Sequence, residues 1–163
     1  MRTIEFPSIA IRGGTIYVAW NDGAQGRSHI RLATSTNGGS TWSVKFVTSG
    51  GGDEVQPALS ANGHGLHLLY YHRNSNNTLD VLIGNSVNGT SFITKRVNSQ
   101  SFKGTLTIPQ FDPIIAFGYM GDYIANVSQR SHLYFAWGDN RDRVVDFMFP
   151  HGRNDPDVFF AKK

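Results

Sequence analysis

The chain has 163 residues, 39% of them hydrophobic and 17% charged, with a net charge of +3 and no cysteine. That length suits one globular domain, and the missing cysteines exclude disulfides, thiolate nucleophiles and cysteine-based metal sites. The basic residues are scattered and no apolar run reaches the roughly 18 residues that cross a bilayer, so neither a nucleic-acid partner nor a membrane partner is expected.

The amino terminus, MRTIEFPSIA, lacks the basic-then-apolar order of a signal peptide, so localisation is left open, with the cytosol as the default expectation. RTIEF, residues 2–6, reads as a strand with no neighbours of its own. From Pro7 onward the chain then repeats itself. PSIAIRGGTIYVAW at 7–20 returns as PALSANGHGLHLLY at 57–70, and HIRLATSTNGGSTW at 29–42 returns as LDVLIGNSVNGTSF at 79–92, both at an offset of 50 without a gap. Each copy closes on a further extended stretch, SVKFVTSG at 43–50 and ITKRVNSQ at 93–100. A looser third copy, DYIANVSQRSHLYFAW at 122–137, ends with DVFFAKK at 157–163.

Short β-branched and aromatic runs bounded by Gly, Asn and Ser, with no helical period, predict an all-β fold. Four antiparallel strands repeated every 40 to 50 residues predict a β-propeller, with blades at about 7–50, 55–101 and 111–163 in a single domain over 1–163. The turn STNGGSTW, residues 35–42, supplies positive-φ positions at Gly38 and Gly39 and side chains at Ser35 and Asn37 that bond its own amides. Trp42 is expected to anchor it beneath the next blade.

STNGGSTW resembles the Asp-box, S-x-D-x-G-x-T-W, of sialidases and related propellers, with Asn37 in the place of the aspartate. SVNGTSF at 86–92 is similar in a shortened form, and GYMGDYIANVSQRSHLYFAWGDNRD at 118–142 looks like a late segment of bacterial sialidase-like proteins. The resemblance implies a six-bladed propeller, often secreted, often a glycoside hydrolase, with the Asp-box turns on the face away from the active site. Sialidases would bring an arginine triad, an aspartate acid/base and a tyrosine nucleophile activated by glutamate. The R-I-P motif that supplies the first arginine is absent, and only Glu5 and Glu54 are available as the glutamate.

Three blades are half of such a ring. Two chains about a two-fold axis would supply six, with residues 2–6 of one chain completing the third blade of the other, so a homodimer is expected. The alternative is a fragment of a longer propeller.

Loops opposite the Asp-box turns start at Trp20, Tyr70 and Trp137, and each aromatic is followed two residues later by Asp22, His72 or Asp139. Rings that stack on sugar faces beside groups that bond hydroxyls suit carbohydrate binding, although the same aromatics also suit packing between blades and the aspartates also suit turn capping. Arg27, Arg73 and Arg141 are the candidates for carboxylate recognition. Asp22 or Asp139 is the candidate acid/base, and Tyr119 or Tyr123 with Glu54 the candidate nucleophile pair. The connection at 104–123 brings Asp112 and Asp122 to the same rim. The histidines lack ligand spacing, so no metal and no cofactor is expected. A two-fold ring would show every group twice around one axis, which favours a carbohydrate-binding module over an efficient hydrolase; an active sialidase and a protein-interaction scaffold are the alternatives.

Overall fold

The computed structural model describes residues 6–24, 26–104, 123–147, 149–155 and 157–163. Among them there is no helix. Strands β1 (Ser8–Arg12), β2 (Thr15–Asp22), β3 (His29–Ser35) and β4 (Ser43–Phe46) form a first antiparallel sheet in chain order. The second sheet takes β5 (Asp53–Asn62), β6 (Gly65–Arg73), β7 (Thr78–Ser86) and β8 (Ile93–Arg96) in the same order, and β9 (Phe102–Lys103) also pairs with β7. The third sheet holds β10 (Ile124–Gln129), β11 (His132–Asp139) and β14 (Asp157–Lys162). Between β11 and β14 the loop folds a short hairpin of its own, β12 (Arg143–Val144) with β13 (Arg153–Asn154).

The repeat in sequence is therefore a repeat in structure. Strand β1 meets β2 with Arg12 opposite Thr15, β5 meets β6 with Asn62 opposite Gly65, and β10 meets β11 with Gln129 opposite His132. Strands β4 and β8 stand where the sequence places a fourth strand, but each has only four residues. The third sheet has three strands among the described residues, and the segment 2–6 expected to complete it lies outside them except for Phe6.

The second sheet lies between the other two, which explains why β6, GLHLLYYHR, is buried without interruption from Gly65 to Tyr71. Successive side chains on a strand point to opposite faces. Leu66, Leu68 and Tyr70 pack with Tyr17, Ala19, Ile30 and Leu32 of the first sheet. Leu69 and Tyr71 pack with Leu133, Phe135 and Trp137 of the third. One face of each end sheet is thereby buried, while Ile9 and Ile11 on the first and Val158 and Phe160 on the third are exposed.

The STNGGSTW turn joins β3 to β4 at the end of the sheets opposite the 23–28 loop. Ser35 Oγ accepts from the Gly39 amide at 2.9 Å, and Asn37 Oδ1 accepts from the Thr41 amide at 2.9 Å. Gly38 and Gly39 take φ of 69° and 93°, the left-handed region that glycine enters without strain. Trp42 differs from its expected place. Its indole N–H donates to Gly39 O at 2.9 Å and the ring stays 43% exposed, folded over its own turn instead of reaching the next sheet. The equivalent glycine of the second copy does reach inward: a Cβ on Gly89 would come within 3.1 Å of Tyr17 and 3.0 Å of Leu66.

Candidate functional site

At the loop end of the seam between the first and second sheets, a carboxylate is enclosed by basic and hydroxyl side chains. Asp53 and Glu54 open β5, just before a bulge at 56–57 where Gln56 takes a φ of 52°. Bulges of this kind break strict alternation and re-aim the side chains beside them. The Glu54 amide donates to Ser28 O at 2.7 Å and Ser28 Oγ donates to Glu54 O at 2.9 Å, fixing the start of β5 to the loop before β3.

The Glu54 side chain is 2% exposed. Its Oε1 meets His72 Nδ1 at 3.1 Å, and its Oε2 accepts from Thr48 Oγ1 at 3.2 Å and contacts His29 Nδ1. Both rings turn Nδ1 toward the carboxylate, an arrangement in which imidazole N–H groups would donate to an ionised Glu54. The rings, 16% and 20% exposed, reach solvent where the carboxylate does not. Glycines roof the cluster: a Cβ on Gly50 would lie 2.5 Å from Glu54 Oε1, and one on Gly52 would lie 2.8 Å from His72 Cε1 and 1.9 Å from Arg73 O.

Beside it, Asp53 accepts from the Ser28 amide at 3.0 Å and from Arg73 Nε at 2.8 Å. Burial would raise its carboxyl, but the Ser28 N–H, Arg73 and the charge of Arg27 outweigh burial and hold it below the ordinary range. Arg27 is exposed on the adjoining loop.

The remaining residues singled out in the sequence fall elsewhere. Asp22 is ion-paired with Arg31 at 2.6 Å and caps the Ala24 amide at 2.8 Å. Arg31 lies 4.1 Å over the Phe46 ring, and ladder pairing puts Trp20, Arg31 and Phe46 in one row across the outer face of the first sheet. Asp139 is buried in the third sheet, accepting from Trp137 Nε1 at 3.2 Å, the Arg141 amide at 3.0 Å and Arg141 Nε at 2.9 Å. Arg141 also donates to Ser99 Oγ at 2.7 Å and stacks 4.4 Å from Phe159, so its fork is occupied within the protein. Tyr71 bridges the same region, its hydroxyl donating to Gly138 O at 3.0 Å, and burial pushes its proton affinity well up.

Tyr123 is 82% exposed beside the start of β10 and has no hydrogen bond to Glu54 among the described residues. Tyr119, Asp112 and Asp122 lie outside the described residues. Of the proposed set, the structure thus joins Glu54 to His72, with Arg73 and Arg27 at the adjacent Asp53. The carboxylate meets two imidazoles and a hydroxyl where a tyrosine was expected. Sequence reasoning missed His29 and Thr48. At the 50-residue offset His29 corresponds to Leu79, so the repeat gives no signal for it; its position opening β3 directly after a polar loop was the available clue. Among the described residues no group of three or more His, Asp or Glu is arranged to hold a metal ion, and the two Nδ1 atoms are spent on the carboxylate.

No family model matches the chain, and no curated protein matches it. Among solved structures, it is similar to the catalytic domain of a Coprinopsis cinerea GH62 α-L-arabinofuranosidase, with a TM-score of 0.51 at 12% identity. The likeness covers 100% of this chain and 46% of that one, so the chain spans about half the length of this neighbour. The neighbour is a glycoside hydrolase of β-propeller type, and at such low identity the likeness is one of fold.

Proposed function

We propose that the chain is a sialidase-like β-propeller module that binds carbohydrate at its loop end without efficient catalysis. The observation that carries this reading is the Glu54 carboxylate, 2% exposed and held by His29, His72 and Thr48. Glycoside hydrolysis needs carboxyl groups, or a tyrosine–glutamate pair, free to meet the sugar. Here Glu54, Asp22 and Asp139 are each engaged by side-chain or backbone donors of the protein. What is open to solvent is suited to recognition: the partly exposed His29 and His72 rings for sugar hydroxyls, and the exposed guanidinium of Arg27 for the carboxylate of an acidic sugar, with Arg73 held on Asp53 beside it. The fold likeness to a glycoside hydrolase agrees with a carbohydrate-related role.

A glycan array carrying neutral and acidic sugars tests the reading, together with a fluorogenic sialoside assay. We expect retention of an acidic glycan, weakened about tenfold or more by His72→Ala, a loss of about 1.4 kcal/mol, with sialoside turnover at background. Sialoside turnover abolished by Glu54→Gln would establish the hydrolase in its place. A blank array would leave a protein-interaction scaffold, a reading favoured by the apolar side chains exposed on the two end sheets.

A further inference from the structure

The two exposed end faces are members of the same series as the buried ones. Tyr17, Ala19, Ile30 and Leu32 form the face of the first sheet that is buried on the second. Ladder register carries these positions onto the third sheet without ambiguity. Tyr17 stands opposite Ala10 as Tyr134 stands opposite Val127, and Ala19 opposite Leu32 as Ala136 opposite Phe160. The equivalent quartet is Tyr134, Ala136, Val158 and Phe160, identical at the first two positions, yet Val158 and Phe160 are 75% and 65% exposed.

The outer face of the first sheet is the complementary kind. Ile9, Val18, Ala33 and Val44 form one row across its four strands. The corresponding residues of the second sheet begin Leu59 and Leu68, both buried against the first sheet. Ile9 and Ile11 are 63% and 64% exposed. Each end of the stack therefore presents the surface that the other end's neighbours already bury.

The turns repeat the same message in hydrogen bonds. Arg12, closing β1, donates to Asn62 O at 2.9 Å and Gly63 O at 3.0 Å in the next sheet's turn. Asn62, closing β5, donates to Arg130 O at 2.9 Å in the turn after that. Gln129 closes β10 in the equivalent place, is exposed, and has no following turn among the described residues.

We infer that the outer face of the third sheet docks on the outer face of the first sheet of a second copy of this chain, twice over, closing a two-chain ring. The occupant is a second copy because both halves of the contact are present on one chain and continue the interfaces already formed within it. Gln129 then reaches the Gly13 carbonyl of the other copy. The contact is head-to-tail and closes at two, so the faces cannot pair with themselves.

Charge-swapped variants test this by light scattering after size exclusion. The wild type is expected at twice the 18.0 kDa chain mass. Ile9→Glu with Ile11→Glu in one variant, and Val158→Lys with Phe160→Lys in another, alter only exposed side chains and are each expected to halve the mass. Their circular dichroism should match that of the wild type. The single changes Ile11→Glu and Phe160→Lys serve where a pair lowers melting. Mixed in equal amounts, the two variants should recover the doubled mass, since one junction is then unaltered and the other joins opposite charges. A monomeric wild type, a variant that stays dimeric alone, an open series of larger masses, or a mixture that stays monomeric would each overturn the inference.

Discussion

Glu54 sits where a charge is costly unless every lone pair is met, and three side chains from three different segments meet it. Replacing the carboxylate by an amide of the same shape removes its charge and exchanges one accepting oxygen for an N–H donor facing the side chains gathered around it. Glu54→Gln is therefore expected to lower stability by about 2 kcal/mol, read from urea unfolding; an unchanged midpoint would mean the cluster contributes nothing to the fold. Three other groups, His67, Asp80 and Asp53, bear on the response to acid. His67 is held below its ordinary value of 6.5 first by burial, with His64 and Arg12 adding to it against the Asn85 hydrogen bond. Its folded state resists protonation, so below pH 6.5 the unfolded chain binds more protons and stability falls as pH drops toward the lowered folded value. Asp80, like Asp53, is held down by hydrogen-bond donors that outweigh its burial. Their contribution is full above the unfolded value near 3.8 and is lost as pH falls through the folded one. Melting followed from pH 8 to 3 should thus show two declines, and His67→Gln should flatten only the upper one.

The elements were largely legible because repetition did the reading. Offset matching aligned Arg12 with Asn62, which stand on equivalent rungs opposite Thr15 and Gly65, while across β3 and β7 the ladders differ by one residue from that offset, Trp20 facing Arg31 and Tyr70 facing Leu82. What repetition could not reveal is what each copy adds alone. The β12–β13 hairpin arises in a loop without counterpart in the earlier copies, and Glu54 precedes the start of its copy. The His29–Glu54 contact joins positions 25 apart through a bulge that alternation does not foresee. Trp42 was misplaced for a related reason: its indole N–H found a carbonyl three residues back, a local partner that apolar character alone does not suggest. The glycine roof offers a test at this scale. Gly52→Ala would put a Cβ 1.9 Å from the Arg73 carbonyl, a backbone atom that cannot swing aside, whereas Gly51 has open space around it. Gly52→Ala is expected to cost at least about 2 kcal/mol and Gly51→Ala less than about 0.5 kcal/mol, and equal melting temperatures for the two would remove the roof from the account.

At the level of the whole molecule, three repeat-related sheets stack so that the middle one is buried on both faces and the outer two on one face each. Fully burying a side chain the size of Val, Ile or Phe is worth about 1.5–3 kcal/mol, so the exposed Ile9, Ile11, Val158 and Phe160 are a substantial unused drive toward association. The candidate ligand site belongs to one inner seam, between the first and second sheets, and a closed ring presents that seam twice around a shared mouth. Binding of a symmetric or branched glycan would then involve both copies, which links the oligomer to the proposed function. Small-angle scattering from the wild-type chain over a range of concentrations measures closure most directly. A constant forward-scattering mass of twice 18.0 kDa, with the distance distribution of a compact disc, is the predicted result. A mass of 18.0 kDa at every concentration, with the profile of an open arc, would contradict it.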